Sequence, residues 1–215
     1  SGVQERLSPA TREKESLRIL TRLGVKPSNI HFLGRDLEVA DKKLQYNMEK
    51  VFRSLLSNVK KKGVPTSIYS LAWEGGHQDH DATHLVAVAL ARELQILNST
   101  YDFSLYRSHN LAWPFFRLMN PLLADREREI LHLNATDRLR YLAYLLSYRS
   151  QSRTLIGIAP LYALKMLWGI PLGAARVKVD RLMSRPHEGA LLYEQRKWGS
   201  YESFEKSATP FINEY

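Results

Sequence analysis

The segment over residues 68–97 constrains the fold of this chain most strongly. An apolar and β-branched run, residues 68–73, ends at two adjacent glycines, which predicts a buried strand closed by a tight turn. Residues 79–97 follow with strong helix formers and an almost unbroken apolar face, which predicts a helix. A strand joined to a helix by a short turn is the repeating unit of α/β folds, so the segment favours that class.

The hydrophobic periodicity elsewhere agrees with an α/β fold. Helical and strand-like patterns alternate along the first half of the chain, and the clearest are helices at 8–23, 44–59 and 137–148 and strands at 30–33 and 101–106. This alternation predicts a Rossmann-like, mostly parallel sheet with helices on both faces. Proline-interrupted apolar runs begin at Leu111. We therefore expect an α/β core over residues 1–110 and a helix-rich extension of the same domain over 111–215.

The composition limits both the chemistry and the partners. The chain has no cysteine, so disulfides and thiolate metal sites are excluded, and any metal must be bound by histidine and carboxylate groups. Lysine and arginine exceed the acidic residues by nine. This excess favours an anionic partner, such as a phosphate-bearing substrate, a membrane surface or nucleic acid, and the alternative is that the charge only aids solubility.

The longest apolar stretch, residues 155–175, contains Pro160, Pro171 and Lys165. The prolines and the charge argue against a transmembrane helix. The alternatives are a lid beside the substrate, an interface, or an amphipathic segment in contact with a membrane surface. The chain begins Ser-Gly rather than with methionine, so its start gives no information on a signal peptide, and a cytoplasmic location is the default expectation.

Residues 77–84 have the composition of a metal site, because they contain three of the seven histidines and two aspartates. His77 and His80 are three residues apart with Asp79 between them, and His84 follows at helical spacing. Neutral histidine binds zinc, and a nearby carboxylate can polarise water or orient an imidazole. The cluster lies between a strand and a helix, where open α/β sheets bind their ligands. The alternative is a capped helix start without metal.

Residues 73–84, W-E-G-G-H-Q-D-H-D-A-T-H, resemble the G-H-P-D-H-x-A-x-H signature of the PIG-L (LmbE-like) N-deacetylases. These are zinc enzymes that remove acetyl groups from N-acetylglucosamine-type sugars. Three other segments are similar to family motifs in order and spacing: an R-x-x-E helix ending in L-G-V at residues 12–25, F-L-G-x-x-D at 32–36 with the aspartate one place early, and Y-R-S-Q at 148–151. The resemblance covers residues 10 to about 152.

The resemblance implies a role for each residue of the cluster. His80 would be a zinc ligand, and His77 would lie beside the metal and stabilise or protonate the tetrahedral intermediate. Asp79 would orient its neighbours. Gln78 replaces the usual proline, which changes backbone stiffness and removes no ligand. His84 would pack or donate a supporting hydrogen bond. The implied reaction is hydrolysis of the acetamide of an acetylated amino sugar, on a glycan or glycolipid precursor.

The family's other half-site is an amino-terminal H-P-D-D-E motif, which supplies a histidine ligand, an aspartate ligand and the general base. That motif does not occur in these 215 residues. Because the strand before it would be central in the sheet, its loss would expose apolar area, and we expect the motif to lie upstream of Ser1. The alternative is a non-catalytic sugar-binding or scaffold relative. His31, on a predicted strand, and His109, just after one, are substitute ligands, although we expect each to be packed or at the surface.

Residues 176–215 interleave basic and aromatic side chains. They could bind sugar rings or phosphates, because aromatic faces stack on sugars and arginine binds anions. The alternative is a helix packed on the domain with its arginines extended along the surface. We expect the substrate to be an acetylated amino sugar, anionic or lipid-linked, rather than nucleic acid. The side chains concerned are Arg176, Lys178, Arg181, Arg185, Arg196, Lys197, Tyr193, Trp198, Tyr201 and Phe204.

Overall fold

The computed structural model describes residues 9–109, 111, 117–119 and 128–215, and this part of the chain is mixed α/β, as the sequence predicts. Its eight α-helices are α1 (Pro9–Arg22), α2 (Leu33–Asp36), α3 (Met48–Lys62), α4 (Gln78–Glu93), α5 (Ala135–Leu146), α6 (Ser152–Leu167), α7 (Leu192–Gln195) and α8 (Tyr201–Glu214). Its strands are β1 (Ile68–Leu71), β2 (Thr100–Phe103), β3 (Tyr106–Arg107), β4 (Arg117–Leu118), β5 (Arg128–Leu131) and β6 (Leu172–Arg176).

The main sheet has four strands in the order β1-β2-β6-β5. Strands β1 and β2 are parallel, with Ile68 opposite Thr100, whereas β2 and β6 are antiparallel, with Asp102 opposite Ala175. The sheet is therefore mixed. Because parallel neighbours need a crossover connection, α4 links β1 to β2 as a βαβ unit. Strands β3 and β4 pair antiparallel in a separate two-stranded sheet.

Most of the predicted elements are present, with ends that differ by a few residues. The helices predicted at 8–23, 79–97 and 137–148 correspond to α1, α4 and α5, and the one at 44–59 is a 3-10 turn (Leu44–Tyr46) followed by α3. The strand predicted at 30–33 is wrong. A 3-10 turn (Pro27–Asn29) precedes it, and α2 begins at Leu33. A strand needs a pairing partner, and a short apolar run does not supply one.

The contacts divide the chain into two compact units. Unit 1 comprises Ser1–Phe32 and Leu131–Leu172, and unit 2 comprises Leu33–Ile130 and Gly173–Tyr215. In unit 1, α5 and α6 pack on each other. The half-buried carboxylate of Glu15, on α1, accepts hydrogen bonds from the backbone N–H of Ser150 at 3.0 Å and from its hydroxyl. The predicted division into 1–110 and 111–215 stays a prediction.

The core of unit 2 forms around α4, which packs against β1 and α3. Helix α4 is apolar on most of its surface, as expected for a helix enclosed by other elements. Phe52 from α3 and Phe204 from α8 are almost completely buried in the same cluster. Full burial of such a side chain contributes about 1.5–3 kcal/mol. The first turn of α4, which contains the histidines, is therefore fixed to a well-packed core.

The apolar stretch at residues 155–175 does not form one continuous helix. Helix α6 contains Pro160 and ends at Leu167, and β6 begins at Leu172. Across the described part of the chain, every helix is too short or too polar to cross a membrane.

Candidate functional site

The turn between β1 and α4 fixes the position of the histidine cluster. A Cβ at Gly76 would lie 1.9 Å from the carbonyl oxygen of Tyr106, so the close backbone approach requires glycine. Gly75 has φ +71°, a left-handed conformation that glycine adopts without strain. Asp81, fully buried, accepts hydrogen bonds from the backbone N–H groups of Glu74 at 3.2 Å and Gly75 at 3.1 Å. These contacts hold the turn against the helix.

His77 is the N-cap of α4. Its Nδ1 accepts a hydrogen bond from the backbone N–H of Asp79 at 3.1 Å. A neutral imidazole with an acceptor Nδ1 has its proton on Nε2. Burial lowers the pKa of His77, although Asp79 and Asp41 act in the opposite direction. His77 therefore presents a neutral ring whose Nε2–H can donate a hydrogen bond to a ligand oxygen.

His80 lies one turn into α4, with its ring 5.1 Å from that of His77 and 5.3 Å from that of Tyr106. Its Nδ1 is buried and has no hydrogen-bond partner within the described residues. Burial, with a smaller contribution from His77, lowers the pKa of His80 to about 3. The ring is therefore neutral near pH 7, which is the state in which imidazole binds metal ions.

Asp79 contacts the backbone rather than the histidine rings. Its carboxylate accepts hydrogen bonds from the N–H of Lys42 at 2.7 Å and the N–H of Leu44 at 3.1 Å. Burial raises the pKa of Asp79, and these two hydrogen bonds oppose that effect. The carboxylate thus fixes the loop at residues 41–44 to the start of α4. The family resemblance implies that Asp79 orients neighbouring groups. Asp79 would do so through this loop.

His84 is buried one turn beyond His80. Its Nδ1 lies 2.9 Å from the carbonyl oxygen of Leu71 and 3.9 Å from Oδ2 of Asp102, and its ring packs 6.4 Å from that of Trp73. These contacts join α4 to the ends of β1 and β2. The position agrees with a packing role for His84.

Asp41, His77 and Asp79 form a group that could bind a metal ion, because their donor atoms lie within 4.8 Å of one another. Two of these donors already have hydrogen-bond partners, at the N-cap and in the loop at 41–44. An N-cap bond is worth about 1 kcal/mol, far less than the roughly 10 kcal/mol of tight metal binding, so these bonds do not exclude a metal. His80 is outside this group.

No sequence pattern indicates Asp41 as a site residue. It lies 36 residues before His77 on a surface loop, and no motif surrounds it. The bonds from Asp79 to the backbone of Lys42 and Leu44 bring this loop to the cluster. Contacts between side chains and distant backbone groups have no sequence signature, so Asp41 could be found only in three dimensions.

Aromatic and cationic side chains surround His77 and His80. The ring of Trp198 lies 5.1 Å from that of His77, with Nζ of Lys42 4.7 Å and Cζ of Arg196 4.8 Å from the Trp198 ring centre. These distances permit cation–π attraction. In the carboxyl-terminal segment, Trp198 and Arg196 lie beside the cluster, whereas Tyr193, Tyr201 and Phe204 are buried. Binding of sugars or phosphates by this segment stays a prediction.

A buried ion pair supports the turn from the other side. Glu74 accepts hydrogen bonds from the backbone N–H groups of Leu105 at 2.6 Å and Tyr106 at 2.9 Å, and its Oε2 lies 3.6 Å from Nη1 of Arg107. Both charged side chains are almost fully buried. Burial raises the pKa of Glu74 to about 7, against the effect of these partners. The pair therefore connects β3 to the residues just before His77.

The two substitute ligands do not join the cluster. His31 is exposed in unit 1, on a segment without a strand, and His109 follows β3 in unit 2. The ring of His109 lies 5.2 Å from that of His187. Among the described residues, neither belongs to a group of three or more potential metal ligands.

Comparisons of this chain with protein-family models, with curated proteins and with solved structures found no match. A function for this chain therefore rests on the geometry of its own residues, together with the sequence motifs.

Proposed function

We propose that this protein is a metal-dependent hydrolase that removes the N-acetyl group from an N-acetylglucosamine-type sugar, with zinc as the metal. The observation that supports this most is the side-by-side arrangement of two neutral imidazoles, His77 and His80, at the end of a strand and the start of a helix. One ring has an N–H available to a ligand oxygen, and the other has a buried nitrogen without a partner. The βαβ unit beneath them is the basis for proposing a Rossmann-like arrangement.

The choice of metal ligand favours His80 over the group formed by Asp41, His77 and Asp79. His77 Nδ1 and both carboxylate oxygens of Asp79 accept backbone hydrogen bonds that maintain the local fold. Nδ1 of His80 has no such competing partner in the described residues. Zinc at such a site supplies a bound water with a pKa of about 7 and polarises the acetyl carbonyl.

His77 is suited to stabilise the oxyanion that forms when water adds to the acetyl carbonyl. Its Nε2–H is the donor, and the N-cap bond at Nδ1 fixes both the tautomer and the ring orientation. Cleavage of the C–N bond then yields acetate and an amine, and the proton that the amine gains as it leaves is one released by the attacking water. Because burial keeps His77 neutral, hydrogen-bond donation is its principal role in this proposal, rather than that of a permanent cation.

The surrounding residues support a sugar as the substrate. Trp198 and Tyr106 place aromatic faces beside the two histidines, and such faces stack on sugar rings. Lys42 and Arg196 add two positive charges at the same place. Arginine binds phosphate and carboxylate groups through paired hydrogen bonds. We therefore propose an acetylated amino sugar with an anionic substituent.

Acetate release from a panel of N-acetylglucosamine derivatives, neutral and phosphorylated, tests this proposal with the intact protein. We expect zinc-dependent release that His80→Ala abolishes and that His77→Gln lowers by about 10²–10³-fold, the usual loss on removal of an oxyanion donor. His132→Ala, at an exposed histidine of unit 1, is the matched control and should leave the rate unchanged. Sugar binding without acetate release would instead indicate a non-catalytic relative.

A further inference from the structure

The pair of helices α5 and α6 in unit 1 has an unusual distribution of apolar side chains. Helix α5 has no buried residue. Its Leu139 and Leu146, seven residues apart and therefore on one side of the helix, are both about 60% exposed. The apolar residues of this helix are thus only partly covered by their neighbours.

Helix α6 and the turn after it expose a longer apolar surface. We call Ile156, Leu161, Leu164, Leu167 and Trp168 the exposed stripe. Its members recur at spacings of one to five residues along one side of the helix, which covers about 18 Å. Ile156 is 75% exposed and Trp168 is 74% exposed. Contiguous exposed apolar surface of this kind marks an interaction site.

Unit 1, which carries the exposed stripe, has a net positive charge. It contains 11 lysine and arginine residues against four aspartate and glutamate residues, a net charge of +7 out of the +9 of the whole chain. In the segment from Leu131 to Leu172, Asp137 is the one acidic residue in the sequence, and it pairs with Arg140 at 3.0 Å. The partner of this surface must therefore be apolar and negatively charged.

These two properties identify an anionic lipid membrane as the partner. A second copy of the chain would bring one basic unit against another, which like-charge repulsion opposes. A helix of 16 residues is about 24 Å long, shorter than the roughly 30 Å of a bilayer core, so α6 cannot span it. An exposed apolar side with tryptophan at its end, on a basic unit, suits a helix that lies in the membrane interface.

We propose that unit 1 binds the surface of anionic membranes, with the exposed stripe inserted between head groups. The basic residues of the unit attract anionic lipids, and each lysine or arginine near such a surface adds to the attraction. Lys165 follows Leu164 at the edge of the exposed stripe and is half-buried, and burial lowers its pKa. Its stem can lie along the apolar surface while its ammonium group reaches the head groups. This inference does not depend on the proposed deacetylase activity.

Co-sedimentation of the chain with vesicles tests the proposal. We expect binding to vesicles of phosphatidylcholine mixed with phosphatidylglycerol and little binding to phosphatidylcholine alone. Binding should fall steeply when salt reduces the Debye length to about 3 Å, near 1 M. The double substitution Ile156→Ser with Trp168→Ser should lower the partition coefficient by at least about tenfold, because two exposed side chains no longer enter the interface. Both residues are solvent-exposed, so the variant should fold normally.

Val64→Ser is the matched control, because Val64 is a 60% exposed apolar residue in unit 2. It should bind vesicles as the wild type does. Fluorescence gives an independent readout: the emission of Trp168 should shift to the blue on anionic vesicles, and Trp168→Phe should lose that shift while it still binds. Absence of binding to anionic vesicles, or equal binding by the double variant, would overturn the proposal. So would a lipid-free dimer of the wild type that the double variant dissociates, since a second copy would then cover the stripe.

Discussion

The start of α4 in unit 2 and the exposed stripe in unit 1 place their side chains in opposite ways. Beside α4, the charged residues Glu74, Asp81 and Arg107 are almost fully buried. In the stripe, the large apolar residues Ile156 and Trp168 are about three-quarters exposed. The first arrangement holds ionisable groups where water would solvate them better, and the second leaves apolar area where burial would stabilise the fold.

Both arrangements cost folding free energy, and the difference between them indicates different purposes. The buried carboxyl groups of Glu74 and Asp81 accept hydrogen bonds from backbone N–H groups that fix the position of His77 and His80, as expected where a chemical group must be held rigidly. The exposed stripe has no comparable set of internal partners, as expected for a surface that binds something external. Departures from the usual placement of polar and apolar groups are expected at functional sites.

The largest expected difference in stability is between a substitution of an apolar residue in the core around α4 and one in the exposed stripe. Phe52→Ala, in the core around α4, should lower the free energy of unfolding by about 3–5 kcal/mol, because it leaves a cavity. Ile156→Ala, in the stripe, should change it by less than about 0.5 kcal/mol. Urea unfolding followed by circular dichroism measures both. A large loss in Ile156→Ala would show that the stripe is packed in solution.

The turn before His77 should be the next most sensitive point. Gly76→Ala places a Cβ 1.9 Å from the carbonyl oxygen of Tyr106, so the backbone must move, and we expect a loss of about 3 kcal/mol. Gly34→Ala is the control, since its Cβ would meet its nearest neighbour at 3.4 Å. The same unfolding experiment applies. Equal stability of the two variants would contradict the close approach at Gly76.

Asp81→Ala should destabilise the protein by about 2 kcal/mol. The substitution removes the acceptor of the buried N–H groups of Glu74 and Gly75, which then lack partners. Asp81→Asn retains an acceptor oxygen and should recover most of this loss. If the two variants were equally destabilised, the acceptor role of Asp81 would be wrong.

Asp81 also contributes a pH dependence to the stability of the folded protein. Burial raises the pKa of Asp81 from 3.8 to about 8, so between these values the folded state retains a proton that the unfolded chain loses. The contribution of Asp81 to stability therefore falls as pH rises through this window, by at most about 1.4 kcal/mol per pH unit. The Asp81→Asn variant has no titratable group at this position. The difference between its free energy of unfolding and that of the wild type should therefore shift in favour of the variant as the pH rises from 5 to 8. Parallel curves for the two proteins would contradict the raised pKa.

The sequence predicted the local part of this site well. The strand, the glycine turn and the helix over residues 68–97 follow from neighbouring residues, and the structure has them as β1, the turn and α4. The run at 30–33 looked equally apolar and formed no strand. The difference is that β1 pairs with β2, which the chain reaches through α4. Residues 30–33 instead lead directly into α2.

The long-range part of the site could not be predicted. Asp41, Tyr106 and Trp198 meet His77 and His80 from three distant segments of the chain, and no spacing rule connects them. The basic and aromatic composition of residues 176–215 predicts ligand-binding side chains, but it does not separate Trp198 and Arg196, which lie beside the cluster, from the buried Tyr193. Whether a side chain of this segment is buried or lies beside the cluster depends on which side of the segment packs against the core.

The zinc content of the intact, natively purified protein and its variants tests the central proposal most directly. The account predicts one zinc per chain in the wild type and in Asp41→Ala, and loss of that zinc in His80→Ala. Circular dichroism on the same samples would show that each variant is folded. A metal-free wild type, or zinc that survives His80→Ala and is lost in Asp41→Ala, would contradict the assignment of His80 as a metal ligand.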